Sequence, residues 1–153
     1  MSEAFLRPSL GAAVYYDDPL TALAWLEKAF GFERQFVVLD NDGQIAHSEM
    51  RFGTSYLMVC RAWAEDMASP QSLGGRNTQS VHVQLGDGID GHCARARAAG
   101  AVITREPADQ FYGDRVYAAL DPEGHVWSFG QTVREVSREE AEQASGHRID
   151  GWV

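Results

Sequence analysis

The sequence has very little of several features that would indicate its partners. Its 153 residues include a single lysine, Lys28, and the twelve arginines are scattered without forming a basic stripe. The formal net charge of −9 also disfavours a nucleic-acid partner, because the phosphate backbone attracts clustered positive charge. No stretch approaches the roughly 18 apolar residues of a membrane-spanning helix. We therefore expect neither a nucleic-acid nor a membrane partner.

Cysteine is scarce as well. Cys60 and Cys93 lie far apart, and no Cys-x-x-Cys spacing indicates a metal or redox site. The first residues do not combine a basic segment with an apolar run, which is the pattern of a secretory signal peptide. We therefore expect a cytoplasmic protein with reduced thiols. Hydrophobic residues make up 44% of the chain, which is enough for the core of one domain covering 1–153.

One pattern occurs twice along the chain. An aspartate is followed thirteen residues later by a glycine that ends an apolar helix, from Asp18 to Gly31 and again from Asp87 to Gly100. The two copies are offset by 69 residues, which indicates one supersecondary unit used twice. Two such units facing each other would form a pocket between them.

The first copy, module 8–61, has the signals of one helix and four strands. Asp18 is suited to cap a helix that has Pro19 at its first position and Gly31 at its end. Apolar runs bounded by Gly, Pro, Asn or Asp predict strands at 9–16, 32–39, 44–52 and 55–61.

The second copy, module 79–131, repeats this order after a connector at 62–78. It has a predicted helix at 89–99 and a loop at 106–113, and its strands are predicted at 79–85, 101–105, 114–120 and 125–131. In the C-terminal extension 132–153, Ser137 and Glu140 have the spacing of a capping box and predict a last helix. The sequence therefore predicts an α+β fold with two tandem βαβββ modules that form a curved mixed sheet around a cleft, plus a C-terminal helix.

Three segments resemble a known superfamily. They are the helix entry and exit at 17–32, the alanine-rich helix end at 94–101, and the loop, strand and turn at 112–127. With the doubled module, they resemble the vicinal oxygen chelate superfamily, which includes glyoxalase I, extradiol dioxygenases, and bleomycin- and fosfomycin-resistance proteins. Within it, the chain is most similar to PhnB-type glyoxalase-like proteins. The resemblance implies a small-molecule ligand and a homodimer.

The resemblance also locates a metal site that this chain lacks the residues to build. Metal-dependent members bind one divalent ion through four inward-facing side chains: His or Gln, Glu, His and Glu. The matching positions here are Gly11, Met58, Ser80 or, with a shifted alignment, His82, and Ser128. At best one strong ligand remains, so we expect no metal cofactor at this site.

A relocated metal site is the alternative. His47 and Glu49 are two residues apart on a predicted strand, so they share a face and could join His82. The preferred interpretation is a polar pair on a solvated strand edge.

Alternation along the strands predicts which side chains point away from the helices and toward the cleft. His82 is the best single candidate, either as a general base or ligand contact, or as a structural histidine. The other side chains expected at this surface are Tyr15, Tyr56, Met58, Cys60 and Ser128. An apolar, polarizable wall would be made by Tyr15, Tyr56, Met58 and Cys60 together, although each one alone is more simply a core residue.

Two further residues come from the loop that borders the pocket mouth in the superfamily. Arg115 could hold a ligand carboxylate or phosphonate, or could instead pair with a nearby aspartate. Tyr112 could serve as a lid or wall.

The sequence leads to three hypotheses about function. The leading hypothesis is a glyoxalase/bleomycin-resistance-like protein that binds a small organic molecule in a metal-free cleft. The alternative is a lyase, isomerase or dioxygenase-type enzyme that uses His82 with a relocated or weak metal site. The third is a partner-binding module in which the tail with Trp152 mediates assembly.

Overall fold

The computed structural model describes residues 7–152, so residues 1–6 and 153 of the predicted domain lie outside the described part. Its elements are β1 (Gly11–Tyr16), α1 (Pro19–Phe30), β2 (Glu33–Leu39), β3 (Ile45–Phe52), β4 (Ser55–Arg61), β5 (Ser80–Leu85), α2 (Ile89–Ala98), β6 (Val102–Asp109), β7 (Asp114–Leu120), β8 (Val126–Thr132) and α3 (Arg138–Ser145). The α+β prediction, with tandem βαβββ modules and a C-terminal helix, is confirmed.

The strands form two four-stranded sheets with the same internal order, β1-β4-β3-β2 and β5-β8-β7-β6. The first strand of each module pairs parallel with the last, and the other pairs are antiparallel. Strands β1 and β5 are therefore the edges at which the modules meet. Gln79 at the entry to β5 donates a hydrogen bond to the carbonyl of Ala13 at 3.1 Å.

Local signals account for both ends of α1 and for the start of α3. The Asp18 carboxylate accepts a hydrogen bond from the Thr21 amide at 3.1 Å, and Gly31 ends α1 with φ at 79°, which favours glycine. Ser137 caps α3 by accepting from the Glu140 amide at 3.1 Å. The predicted loop at 106–113 is wrong in its first half, because β6 continues to Asp109. Its pairing with β7 resumes at Ala108 and Val116 after an irregularity in the register.

One apolar core serves both modules. The Phe30 ring at the end of α1 lies 5.3 Å from the Trp127 ring and 4.7 Å from the Phe129 ring, both on β8. All three residues are fully buried. This packing uses the helix-side face of β8, so the alternate side chains of the strand point away from the helices.

A buried carboxylate strengthens the contact between the modules. Asp121, in the turn between β7 and β8, accepts hydrogen bonds from the Tyr16 hydroxyl at 2.6 Å and from the Trp127 indole at 3.1 Å. It also accepts from the backbone amides of Glu123 and His125. Burial first, and then the charge of Asp121, raise the pKa of Tyr16 well above its ordinary value, so Tyr16 keeps the proton that it donates.

None of the helices in the part of the chain that the structure describes has the length and apolarity needed to cross a membrane.

Candidate functional site

A cleft of about 740 Å³ lies between the modules along the edge strands β1 and β5. Aromatic and aliphatic side chains form part of its wall, including Phe32, Phe52 and Tyr56. Polar side chains come from both modules: Gln79, His82 and Gln84 from the second, and Thr54 and Ser55 from the first. The cleft therefore combines an apolar wall with several polar groups.

The structure brings only some of the predicted site residues to this cleft. Tyr56 and His82 line it directly, and Ser128 is hydrogen-bonded to His82. Met58 and Cys60 lie further along β4 on the same face as Tyr56. Tyr15 lines a separate cavity of about 280 Å³, against the connector and His125.

A chain of hydrogen bonds crosses the helix-free face of the second module. His82 Nδ1 lies 2.7 Å from Ser128 Oγ, and His82 Nε2 lies 3.0 Å from Gln84 Oε1. Gln84 Nε2 in turn donates to Asp114 Oδ2 at 3.0 Å and to Thr132 Oγ1 at 3.2 Å. Two side chains thus contact the imidazole directly, and Asp114 and Thr132 hold one of these, Gln84, in place.

Gly130 makes room for this chain. A Cβ atom at this position would lie 2.9 Å from Gln84 Oε1 and 3.1 Å from His82 Cε1, so a larger residue would displace the Gln84 amide and crowd the ring. Glycine is favoured here by space and not by backbone conformation, since its φ lies outside the left-handed region.

The first module carries a charged cluster instead. Glu49 on β3 accepts from Arg7 and, at 3.0 Å, from His47 Nε2, and Glu49 is only 3% exposed. The Arg7 guanidinium also lies over the Tyr56 ring, 4.7 Å from its centroid. Burial raises the pKa of the Glu49 carboxyl, but hydrogen bonds from His47 and Arg7 outweigh it, and the net pKa is lowered.

The alternative of a relocated metal site is not supported by the geometry of the described residues. His47 and Glu49 do share a face and pair with each other, but β3 is an interior strand, so the expected solvated strand edge is also wrong. Across residues 7–152, no three His, Cys, Asp or Glu side chains are grouped closely enough to hold a metal ion. At the four superfamily ligand positions, Gly11 has no side chain and Met58 and Ser128 are poor ligands. The donor set does not fit a divalent metal.

Arg115 and Tyr112 lie away from the cleft. Arg115 donates to Asp90 and to Asp109, each at 2.9 Å, on the helix side of the second sheet. Tyr112 packs edge-on against Phe111 with ring centroids 5.2 Å apart. Tyr112 also lines a shallow hollow of about 800 Å³ with Arg134 and Trp152 of the C-terminal extension.

Neither cysteine has the surroundings of a nucleophile. Burial, and then the nearby charge of Glu49, raise the pKa of the Cys60 thiol. Burial likewise raises the pKa of Cys93. Both effects disfavour the reactive thiolate.

Alternation along β5 predicts that Gln84 shares the cleft-facing side with His82, and both residues do line the cleft. Other residues that matter here could not be found from the sequence. Arg7 and Asp114 gave no local signal, because their roles depend on partners that are 42 and 30 residues away. His92 on α2 gave no local signal either: it is half-buried and hydrogen-bonded to Tyr117 Oη at 2.6 Å and to the Phe30 carbonyl at 2.9 Å.

Comparison with known proteins agrees with this architecture. Residues 10–129 match the family model described as the Glyoxalase/Bleomycin resistance protein/Dioxygenase superfamily. An uncharacterised protein of Mycobacterium tuberculosis (strain H37Rv) is 33% identical over 150 residues, which cover 95% of this chain and 87% of that protein.

Two solved structures illustrate the range of similarity. TioX from Micromonospora sp. ML1 is 32% identical with a TM-score of 0.67, over 82% of this chain and 99% of that chain. The fosfomycin resistance protein FosX from Listeria monocytogenes, in complex with Mn(II) and sulfate, is 12% identical with a TM-score of 0.59. It covers 92% of this chain and 98% of its own, and at this identity the likeness concerns the fold alone.

Proposed function

Because the chain belongs to the Glyoxalase/Bleomycin resistance protein/Dioxygenase superfamily, we propose that it binds a small organic molecule, without a metal ion, in the cleft between its modules. The observation that carries this proposal is the cleft itself. Its volume of about 740 Å³ falls within the range typical of small-molecule sites, and its apolar wall faces a few polar groups.

The lining indicates the kind of ligand. Phe52 and Tyr56 offer aromatic surface on one side, while Gln79, His82 and Gln84 make the other side polar. A flat, largely apolar molecule with a hydrogen-bonding group at one edge would match both sides.

The donor chemistry of the site supports the metal-free part of the proposal. Gly11, Met58 and Ser128 occupy three of the four positions at which the superfamily resemblance puts metal ligands. Metal analysis of the purified protein, before and after EDTA treatment, tests this directly. A stoichiometric divalent ion whose removal abolishes ligand binding would contradict the proposal.

A screen of small aromatic molecules by ligand-observed NMR tests the binding function. Thr54 is an exposed residue at the rim of the cleft, so we expect Thr54→Trp to block ligand binding. Thr104→Trp is the matched control, because Thr104 is also exposed but lies on β6, outside the cleft. Ligands that bind all three proteins equally well would show that the cleft is not the site.

A second candidate function is a lyase or isomerase in which His82 acts as the base. The pairing of His82 with Ser128 at 2.7 Å favours it, because it holds the imidazole in one orientation at the cleft. Once a ligand is found, proton exchange into that ligand from deuterated water, compared between the wild type and His82→Ala, tests this function.

Three further predictions complete the proposal: a place among the PhnB-type proteins, a homodimer, and a cytoplasmic location. Large apolar side chains exposed on edge strand β2, namely Val38 and Leu39, support self-association. Sedimentation of the purified protein tests the dimer.

A further inference from the structure

The hydrogen bonds around His82 determine where its proton lies. Gln84 Nε2 points to Asp114 Oδ2 at 3.0 Å, and an ionised carboxylate can only accept a hydrogen bond. The amide nitrogen of Gln84 must therefore face Asp114, so the amide oxygen faces His82. This fixes the orientation of an amide that would otherwise be ambiguous.

The same reasoning continues through the imidazole. Gln84 Oε1 cannot donate, so His82 Nε2 must carry the proton that joins them at 3.0 Å. In the neutral ring, Nδ1 is then an acceptor, and the Ser128 hydroxyl 2.7 Å away donates its proton to it. The lone pairs of Ser128 Oγ remain available for another atom.

We propose that Ser128 is a nucleophile activated by His82, with Gln84 as the positioning residue, and that the site reacts with carboxylic esters. The arrangement has the three parts of an activated nucleophile: a hydroxyl, a base within hydrogen-bond distance, and a third group that orients the base. A comparable Cys-His-Asn arrangement, with an amide as the third group, occurs in proteases of an unrelated fold.

Neither reacting side chain is fully enclosed. His82 is exposed and Ser128 is only partly buried. Ser128 pairs across the sheet with Ala118, and Gly130 follows two residues later on the same face. His92 makes a useful contrast, because it also lies 2.6 Å from a hydroxyl, that of Tyr117. Tyr117, however, is fully buried, so no substrate reaches that pair.

The proposed reaction has two balanced steps. Ser128 Oγ attacks the ester carbonyl carbon while its proton moves to His82 Nδ1. The bond from the carbonyl carbon to the alcohol oxygen then breaks, and the departing alkoxide takes that proton. Water, deprotonated by His82, next attacks the acyl-serine, releases the carboxylic acid and returns the proton to Ser128 Oγ.

This inference rests on the proposed function, because the same cleft must admit the ester. It is tested with a fluorophosphonate probe, followed by peptide mapping, and with the burst of p-nitrophenol released from p-nitrophenyl acetate. We expect one probe per chain, attached to Ser128. His82→Ala should slow labelling about 100-fold or more, the usual contribution of a general base.

Matched variants separate this role from general effects on the fold. Ser80→Ala is the control, since Ser80 lies on the same face of β5 and is also exposed; it should label like the wild type. Gln84→Ala should slow labelling by a smaller factor and redistribute the His82 tautomers, which ¹⁵N ring shifts report. Wild-type spectra that show the proton on Nδ1 would overturn the inference.

The remaining outcomes distinguish the inference from the proposed function. A wild-type protein that binds cleft ligands but is not labelled, or is labelled elsewhere, overturns the nucleophile and leaves the binding function intact. A protein that neither binds cleft ligands nor reacts overturns both. Labelling of Ser128 that is unaffected by His82→Ala also overturns the proposed activation.

Discussion

The two modules share strand order and register, but they place different chemistry at equivalent positions. Ala13 faces Met58 across the first parallel strand pair, and His82 faces Ser128 across the second. The backbone therefore provides the same site twice. Only the second copy carries side chains that form a hydrogen-bonded chain there.

Glycines at the helix-free faces show a similar contrast. In the first module the glycine is on β1, where the Tyr56 ring of β4 covers Gly11. In the second module the glycine is Gly130 on β8, and side chains from β5 extend over it. In the first module the covering ring comes from the last strand, β4. In the second module the covering polar side chains come from the first strand, β5. The two copies thus fill equivalent surfaces differently, the first with an aromatic ring and the second with a hydrogen-bonded polar chain.

The largest expected difference in stability is between substitutions in the β7–β8 turn and in the equivalent β3–β4 turn. Asp121 in the β7–β8 turn accepts four hydrogen bonds, including the one from Tyr16 of the first module. We expect Asp121→Ala to lower the free energy of unfolding by about 3–4 kcal/mol, because buried donors lose their acceptor. Urea denaturation measures this.

The matched change in the other module is Thr54→Ala, in the exposed β3–β4 turn. It should change stability by no more than about 0.5 kcal/mol. Equal costs for the two substitutions would show that the turns do not differ in this way.

The next effect tests the charged cluster of the first module, in which the carboxylate of Glu49 is buried. Glu49→Gln should cost about 1–2 kcal/mol at pH 7, since hydrogen bonds from Arg7 and His47 to a charged acceptor are replaced by weaker ones. The folded protein lowers the pKa of Glu49, so this stabilisation is present above the ordinary value near 4.5 and is lost as the pH falls through the lowered one. Stability curves of both proteins should therefore converge in acid.

Arg51→Gln provides the control for the loss of a surface ion pair on the same strand, because Arg51 and Glu33 are both exposed. It should change stability only slightly and without this pH dependence.

Features that depend on residues close together in the chain could be predicted from the sequence, and features that depend on distant residues could not. The ends of α1 followed from Asp18 and Gly31, because capping acts within one turn of the helix. The same-face placement of His82 and Ser128 followed from alternation. Their hydrogen bond did not, because it depends on the register between strands that lie 46 residues apart.

Burial of polar groups was the least predictable property. The spacing of His47 and Glu49 indicated a shared face, but Glu49 is covered by Arg7, a residue 42 positions earlier with no motif around it. His92 lies on α2 near Asp90, and no residue beside it in the sequence indicates burial. It is half-buried because the aromatic residues Phe30 and Tyr117 come from other elements that pack around it.

A smaller effect concerns His92 on α2. Burial lowers the pKa of His92, so its neutral form stabilises the fold. A lowered pKa means that this stability is present above about 6.5 and is lost as the pH falls through the folded value. The wild type should lose on the order of 1 kcal/mol of unfolding free energy between neutral and mildly acidic pH. We expect His92→Asn not to show this loss. Thermal denaturation across that range, with His147→Asn in the exposed tail as control, measures it; identical pH profiles for the wild type and His92→Asn would contradict this assignment.

The smallest expected effect tests whether the glycine on β1 is there to accommodate the ring. A Cβ atom at Gly11 would lie 2.2 Å from Tyr56 Cζ, yet the backbone is extended and accepts any residue. Alanine should therefore be favourable by itself in this strand and unfavourable only through the ring, which is half-exposed and able to shift. In a double-mutant cycle, Gly11→Ala should be neutral or destabilising in the wild type and stabilising in Tyr56→Ala, with a coupling of about 0.5 kcal/mol or more. If Gly11→Ala has the same effect in both backgrounds, the Tyr56 ring is not the reason for glycine at this position. The contrast between Gly11 under a β4 side chain and Gly130 under β5 side chains would then have no energetic basis.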